Sequence, residues 1–379
     1  MESAKAVPNP CLGCGLCRGS CPLSDLWWPQ GEVSTPRGKV AMLEEILAGR
    51  LEPDETFEAE FWYRCTLCAR CELDCPALVP VTELVVRARR YLVERGKVPV
   101  GAAASLRRLR LHRNPWGRPA AERQKMAGSF FPSSVRSSDT LLFLGCLAGY
   151  DRRAGQAASA LVRILADWGV DFAVLPDDEP CCGGEAYAMG EEGLYEQLVQ
   201  ANLEIFSRRG VRRIITYCPH CYHAFKTLYP PELEVYHYTE VLEKLLDGGA
   251  VPPRDGPALR VWYHDPCHLG RRQGIYEPPR RILEALPGVI RVTTATEARK
   301  GLCCEAGGGR MWYGPPGSPP SLARRIVEQA REAGADAIAV ACPFCLTALE
   351  PWAGQAGMAI WDLAEIVQFY RERGGRQCI

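Results

Sequence analysis

From residue 139 onward the chain carries the same series of cysteines twice, and this duplication limits the possible folds more than any other feature. In the first copy TLLFLGC ends at Cys146, EPCCGGEAY spans 179–187 and RRIITYCPHC ends at Cys221. In the second, RVWYHDPC ends at Cys267, GLCCEAGGG spans 301–309 and DAIAVACPFC ends at Cys345. Matching signposts in the same order at nearly the same spacing mark an internal repeat. Each copy opens with a β-rich run, LLFL or LRVWYH, that meets its first cysteine at the strand's end. A helical pattern follows, QAASALVRILADWG or YEPPRRILEAL. A second strand, DFAVLP or VIRVTT, precedes each CC pair. Another helix, a third strand (RRIITY or DAIAVA) and the CPxC turn complete the copy. Strand and helix alternate throughout, which predicts an α/β fold of duplicated βαβ units with parallel sheet and functional loops at the carboxyl ends of the strands. All five cysteines of each copy fall at or near that edge.

With 379 residues, 47% of them apolar, the chain can bury at least two cores. Its formal charge of zero supplies no field for nucleic acid or an anionic membrane surface. The longest apolar runs, such as AIAVAC at 337–342, are too short to span a bilayer, and MESAKAVPNP lacks the apolar core of a signal peptide. A soluble cytoplasmic protein is expected, which a partner subunit could still hold at a membrane. In that setting nineteen cysteines read as metal ligands rather than as a disulfide scaffold. Four units are expected: 1–97 with eight cysteines, a basic linker at 98–138 with at most a short helix, and the two copies at 139–250 and 251–379.

In the N-terminal unit Cys11, Cys14, Cys17 and Cys21 stand in CLGCGLCRGSCP, and Cys65, Cys68, Cys71 and Cys75 in CTLCARCELDCP. Both are C-x2-C-x2-C-x3-C-P, the run for two cubane 4Fe-4S clusters in which each fourth cysteine ligates the other cluster. Cys11, Cys14, Cys17 and Cys75 are therefore assigned to one cube, and Cys65, Cys68, Cys71 and Cys21 to the other, in a mainly α-helical ferredoxin-type domain. A pair of zinc sites is the competing reading, and it does not explain two complete runs. Between them STPRGKVAMLEEILAG predicts an amphipathic packing helix, whose Arg37 and Lys39 could also tune a nearby cluster by charge.

Five thiols at one loop edge suit neither a tetrahedral zinc nor an ordinary cube, whereas a larger cluster would account for them. Here the chain resembles the cysteine-rich CCG domain family of heterodisulfide reductases, in which a Cys, a CCG and a CxxC are spaced by about thirty-five residues. The resemblance implies a noncubane 4Fe-4S cluster at which a disulfide is cleaved or formed. Carried over, Cys146, Cys181, Cys182, Cys218 and Cys221 would hold one such cluster, and Cys267, Cys303, Cys304, Cys342 and Cys345 the other, giving up to two noncubane clusters beside two cubanes. A two-cluster ferredoxin module followed by two CCG domains resembles the D-type subunit of heterodisulfide reductases. It is also similar to the iron–sulfur subunits of glycolate oxidase, lactate-utilisation enzymes and anaerobic glycerol-3-phosphate dehydrogenase. Those relatives often lack CxxC cysteines, and retention of all ten here favours the heterodisulfide branch. One departure is Glu305, which stands where the family usually has Gly; it could lower the cluster potential or point to solvent.

Around the cysteines, His264 and His268 flank Cys267, while His220 and His223 flank Cys221. Cleaving a disulfide requires protons for the departing thiolates, which histidine can deliver. His268 is the first choice as donor and His264 the second; hydrogen bonding to sulfur or backbone is the competing role. Asp265 is expected to organise its turn. His237 is aligned with Trp361 of the second copy, which gives no shared role. Arg271 and Arg272 could hold an anionic group or simply begin a solvated helix. Cys378 lies outside all four groups. No nucleotide-binding loop is present, so any flavin belongs to another subunit. The expected function is an iron–sulfur electron-transfer subunit that reduces a disulfide or heterodisulfide, or oxidises thiols. Its partners would be a flavoprotein or a haem-bearing membrane subunit, with a small-molecule disulfide or thiol as substrate. The alternative is a non-catalytic wire for a flavoprotein glycolate- or lactate-type dehydrogenase.

Overall fold

The computed structural model describes residues 11–24, 31–51, 61–130, 138–175, 179–249, 256–314 and 321–372; Cys378 lies outside them. The N-terminal unit is helical: α1 (Leu16–Ser20), α2 (Pro36–Leu47), α3 (Arg70–Leu73) and α4 (Val81–Glu94). Thr35 caps α2 by accepting from the Gly38 N–H, and Pro36 takes the first helical position, where no N–H is needed. Helix α4 buries Val85, Val86, Ala88 and Leu92 on one face. That face also carries Arg89, whose side chain is fully enclosed.

The expectation for the linker is corrected. Instead of at most one short helix it forms α5 (Val100–His112) and α6 (Ala120–Phe130). Ala, Leu and Arg are strong helix formers, and together they outweigh the Gly and Pro, which fall at the boundaries. Arg113 ends α5 in the left-handed conformation (φ 54). Helix α6 packs on the helices of the first cysteine-rich half and α5 on residues 310–312 of the second, so the stretch packs on both of its neighbours.

The first half runs β1 (Thr140–Phe143), α7 (Gly145–Tyr150), α8 (Arg152–Asp167), α9 (Gly184–Ala188), α10 (Glu192–Arg209), β2 (Arg213–Thr216), α11 (Pro219–Leu228), β3 (Glu234–His237) and α12 (Tyr238–Asp247). The second runs β4 (Leu259–Tyr263), α13 (Gly270–Gln273), α14 (Glu277–Glu284), β5 (Val289–Val292), α15 (Leu322–Glu332), β6 (Ala337–Val340), α16 (Pro343–Gln355), β7 (Ala359–Asp362) and α17 (Leu363–Glu372). Each half forms a parallel sheet, β1-β2-β3 and β5-β4-β6-β7. The expected strand DFAVLP is reduced to a single bridge between Ala173 and Leu141, on the side of β1 where β5 lies beside β4. The ladder stops there: the next donor, the Leu144 N–H, goes to Glu179, and the next carbonyl, Leu175 O, accepts from Arg123. The last strand of each half, β3 and β7, was not anticipated.

Strand ends are in register, Phe143 with Thr216 and Thr216 with His237, so the loops that follow emerge at one edge. The second sheet places Val340 opposite Asp362. His237 therefore corresponds to Asp362 and not to Trp361. The two halves pack reciprocally: α8 lies on α17, and α14 lies on α12. Arg153 of α8 bridges Glu350 and Glu365 of the second half at 2.8 and 2.6 Å. Buried Asp362 accepts hydrogen bonds from Tyr238 (2.8 Å) and Tyr217 (3.4 Å) of the first half.

Candidate metal centres and the cleft beside them

In the N-terminal unit each run wraps its cysteines by left-handed turns at the same two positions. They are Gly13 and Gly15 in the first run, Leu67 and Ala69 in the second (φ 54 and 59). A side chain in this conformation costs about 1–2 kcal/mol. Burial of Leu67 at 3% exposure offsets part of that cost. Cys17 faces Cys11 and Cys75, and burial raises its thiol pKa. Cys21 faces Cys65 and Cys68, and burial raises it too. Cys71 joins Cys21, Cys65 and Cys68, pushed well above its ordinary value by burial first. The thiols thus gather with each fourth cysteine crossing over, while Cys14 stays exposed on the outer set. Of the two cations in the insert, Arg37 pairs with Glu32. Lys39 is buried over the Phe61 ring, near Cys65, Cys21 and Cys71.

The five thiols of each half lie at the sheet edge, buried. In the first half Cys146 meets Cys181, Cys181 meets Cys182, Cys182 meets Cys221, and Cys221 meets Cys218. In the second, Cys267 meets Cys303, Cys303 meets Cys304, Cys304 Sγ lies 3.4 Å from Cys345 Sγ, and Cys345 meets Cys342. Two further contacts join the sets. Cys218 meets Cys342 across the halves, and Cys68 of the N-terminal unit meets Cys303. The sulfurs form an unbroken series from the N-terminal unit through the second half to the first. Among the described residues no disulfide joins any of the eighteen cysteines. So dense a set of soft donors fits iron–sulfur groups, because thiolates are their ligands and the buried pockets exclude water.

Backbone contacts fix this arrangement. The Cys181 N–H donates to Arg113 O (2.8 Å), and Asn202 and Tyr229 donate to the carbonyls of Cys181 and Cys182 (3.0 and 3.1 Å). Glu179 accepts from the N–H groups of Leu144 and Gly145 (3.0 and 2.7 Å) and is paired with buried Arg123 at 2.5 Å. In the second half Asp265 accepts from the Ala298 N–H (2.8 Å) and pairs with Arg280 at 2.8 and 2.9 Å. Glu305 is not directed to solvent. Its carboxylate accepts from the Leu322 N–H (2.7 Å) and Ser321 (2.8 Å), capping α15. Its φ of +69 matches Gly183 (+85) in the first half, where an added Cβ would lie 3.3 Å from Tyr195 O.

Arg89 joins the units. It donates to the carbonyls of Trp62 and Cys65 in the N-terminal unit, Ala188 in the first half and Gly308 in the second, at 2.5–3.2 Å. The glycine run of the second CC loop permits this approach, since a Cβ on Gly307 or Gly308 would meet the carbonyls of Thr66 or Cys65 at 2.7 and 2.6 Å. Arg271 acts similarly, donating to Cys68 O (2.7 Å) and Gly301 O (2.8 Å). It is buried and so no solvated helix start, and its Nη2 keeps no hydrogen-bond partner among the described residues.

Where the three units meet, a cleft of about 270 Å³ opens, lined among others by His220, His223, His268, Arg272, Glu185 and Tyr187. His220 stacks between His268 (3.8 Å between centroids, 22°) and Phe344 (4.0 Å, 11°). Glu185 holds His220 Nδ1 at 3.2 Å and accepts from Trp312 Nε1 at 2.8 Å. Burial opposes a charge on His220, but the Glu185 hydrogen bond and nearby Cys218 override it and carry the pKa up to about 9. Burial and the Arg272 charge take His223 down to about 3, leaving it neutral. Since its Nε2 accepts from Arg272 (2.8 Å), the proton sits on Nδ1, and the Gln273 amide 2.7 Å away must present oxygen there. His268 Nδ1 lies 3.4 Å from Cys267 Sγ, and burial pushes its pKa well down. His264 faces Cys304 and Cys345 away from the cleft lining. Glu185, Trp312, Arg89 and Arg123 escaped the sequence reading because nothing in GGEAY, GRMWY, VRARR or AAERQ distinguishes them locally.

Two family models match the chain, a 4Fe-4S dicluster domain over residues 8–79 and a cysteine-rich domain over 140–226 and again over 261–350. With the gathered thiols, they define an iron–sulfur protein of 4Fe-4S type that transfers electrons. The chain is 35% identical to the EtfAB:quinone oxidoreductase of Syntrophomonas wolfei over 87% of its length, and 34% identical to the probable iron-sulfur-binding oxidoreductase FadF of Bacillus subtilis over 78%. It spans only 50% and 44% of those two proteins. It is 31% identical to the D-type subunit of the dihydromethanophenazine:CoB–CoM heterodisulfide reductase of Methanosarcina acetivorans, with 89% of this chain and 87% of that one aligned. The chain belongs to this family of iron–sulfur oxidoreductase subunits. No helix among the described residues is long and apolar enough to cross a membrane.

Proposed function

We propose that the chain is the catalytic iron–sulfur subunit of an oxidoreductase complex, holding two cubane and two noncubane 4Fe-4S clusters and reducing a small-molecule disulfide or, in reverse, oxidising thiols. The observation that carries this reading is the cleft, because its lining residue His268 stands 3.4 Å from Cys267 Sγ and so links a cavity to the buried sulfurs of the second half. Bound clusters would supply electrons singly. Overall, RSSR′, two electrons and two protons give RSH and R′SH, the electrons coming from a redox partner subunit.

The chain's own residues would then divide the work. Arg272 and Gln273 hold His223 neutral, and the Arg272 guanidinium is the group that would meet an anionic part of the substrate, with Glu83 and Glu185 in the same lining. Glu185 orients His220, whose stacking fixes His268 beside Cys267. His268, neutral in this setting, is the residue we assign to relaying a proton to a departing thiolate, one ring nitrogen donating as the other accepts. His264 does not line the cleft, and we do not retain it as a proton donor.

A second reading is favoured by the name of one relative, an EtfAB:quinone oxidoreductase. The chain would then be a wire without disulfide turnover. Reduced holoprotein, held anaerobically with a viologen donor, should release two thiols per disulfide from oxidised glutathione, cystamine or bis(2-hydroxyethyl) disulfide. Oxidation by a soluble quinone with no thiol release from any disulfide would favour the wire.

A further inference from the structure

Among the buried side chains with metal-binding chemistry, His264 has no place in the reading above. It follows β4, is 2% exposed, and its backbone N–H is fixed to Ala339 O at 2.9 Å. A ring nitrogen of His264 and the sulfurs of Cys304 and Cys345 all lie within 4.8 Å of one another, the two sulfurs 3.4 Å apart. Donors so spaced can share one metal atom, since bonds of about 2.3 Å to sulfur and 2.0–2.1 Å to imidazole nitrogen put tetrahedral neighbours roughly 3.5 Å apart. The first half offers no counterpart. By sheet register and by distance along the chain to the first cysteine the equivalent position there is Phe143, whose buried ring carries no ligating atom.

We propose that His264 is a metal-binding residue of the second centre, adding an imidazole nitrogen at the metal atom that Cys304 and Cys345 hold. The second centre is then a nitrogen-and-sulfur site and the first an all-sulfur site, although both have five cysteines. A neutral imidazole added beside five thiolates leaves the ligand charge of the second centre equal to that of the first and changes its donor set alone. This inference rests on the second cysteine set holding an iron–sulfur group.

The test is pulsed EPR on the holoprotein labelled with ¹⁵N-histidine, poised so that the second centre is paramagnetic. A directly bound imidazole nitrogen should appear as a strong hyperfine coupling, disappear in His264→Leu and in His264→Gln, and leave the spectrum of the first centre unchanged as an internal control. The potential of the second centre should shift in both variants while that of the first stays unchanged. A wild-type second centre that contains iron but shows no such coupling, or a coupling that survives in either variant, overturns the proposal alone. A second cysteine set without iron overturns both the proposal and the reading beneath it.

Discussion

The two cysteine-rich halves reach the same five-thiol arrangement with their supporting groups exchanged. In the first, Glu179 precedes the CC pair and reaches back to the turn that carries Cys146. In the second, Asp265 precedes Cys267 and reaches across to Ala298, in the segment before the CC pair. Each carboxylate is neutralised by a buried arginine, Arg123 from the linker or Arg280 from within the half. What both halves preserve is the closure of one loop on the other, and either loop can supply the acid. The same exchange recurs nearby. Gly183 takes a left-handed turn because a helix passes close, whereas Glu305 takes that turn with a side chain that caps α15. His237 and Asp362 end equivalent strands and both cap the helix that follows.

The sharpest way to break the equivalence is at the sulfurs. Cys182→Ser should abolish the signal of the first centre, and Cys304→Ser that of the second, with the N-terminal cubane spectrum intact in both; loss of the cubane signal in either would refute the ligand partition. Next in size are the buried ion pairs. Arg123→Met leaves Glu179 buried without its partner and should cost about 3–5 kcal/mol in anaerobic thermal or denaturant unfolding, as should Arg280→Met for Asp265. Adding Glu179→Gln to Arg123→Met should restore much of that loss.

A pH-dependent difference separates the capping residues. Burial raises the Asp362 pKa to about 7, so the folded state holds this proton more tightly than the unfolded state does. Its contribution is fully present below the ordinary carboxylate value and is lost as pH rises through about 7. Asp362→Asn, which keeps an acceptor for Tyr238, should therefore gain stability over the wild type as pH is raised from 5 to 8. Unfolding midpoints that shift equally at both pH values would contradict this. The smallest expected effect is at the paired turns: Gly183→Ala should lose about 1–2 kcal/mol, while Glu305→Gly should change stability by less than about 1 kcal/mol, relief of the left-handed turn offsetting the lost cap.

Much of this was legible in the sequence where spacing carries the information. The duplicated C…CC…CPxC series located both sheets' cysteine edges, and the alternation of strand and helix predicted their parallel pairing. Three features were not. Helices α5 and α6 were hidden by Gly and Pro that fall at their boundaries. The DFAVLP strand stops where Glu179 and Arg123, the latter about fifty positions earlier, take the next donor and acceptor of the ladder. The cleft depends on three units meeting, and Arg89 joins them through four carbonyl contacts that leave no pattern in the chain. His220 could have been ranked above His264, because the CPxC repeat places an aromatic ring, Phe344, at the equivalent position of the second half.

The most direct test of the four-centre organisation is the iron, acid-labile sulfide and zinc content of the anaerobically purified chain, measured beside the Cys182→Ser and Cys304→Ser variants. Four clusters of four predict about sixteen irons and as many sulfides with no zinc, and about four fewer irons in each variant. About eight irons in the wild type, unchanged in both variants, would mean that the cysteine-rich halves hold no iron–sulfur centre.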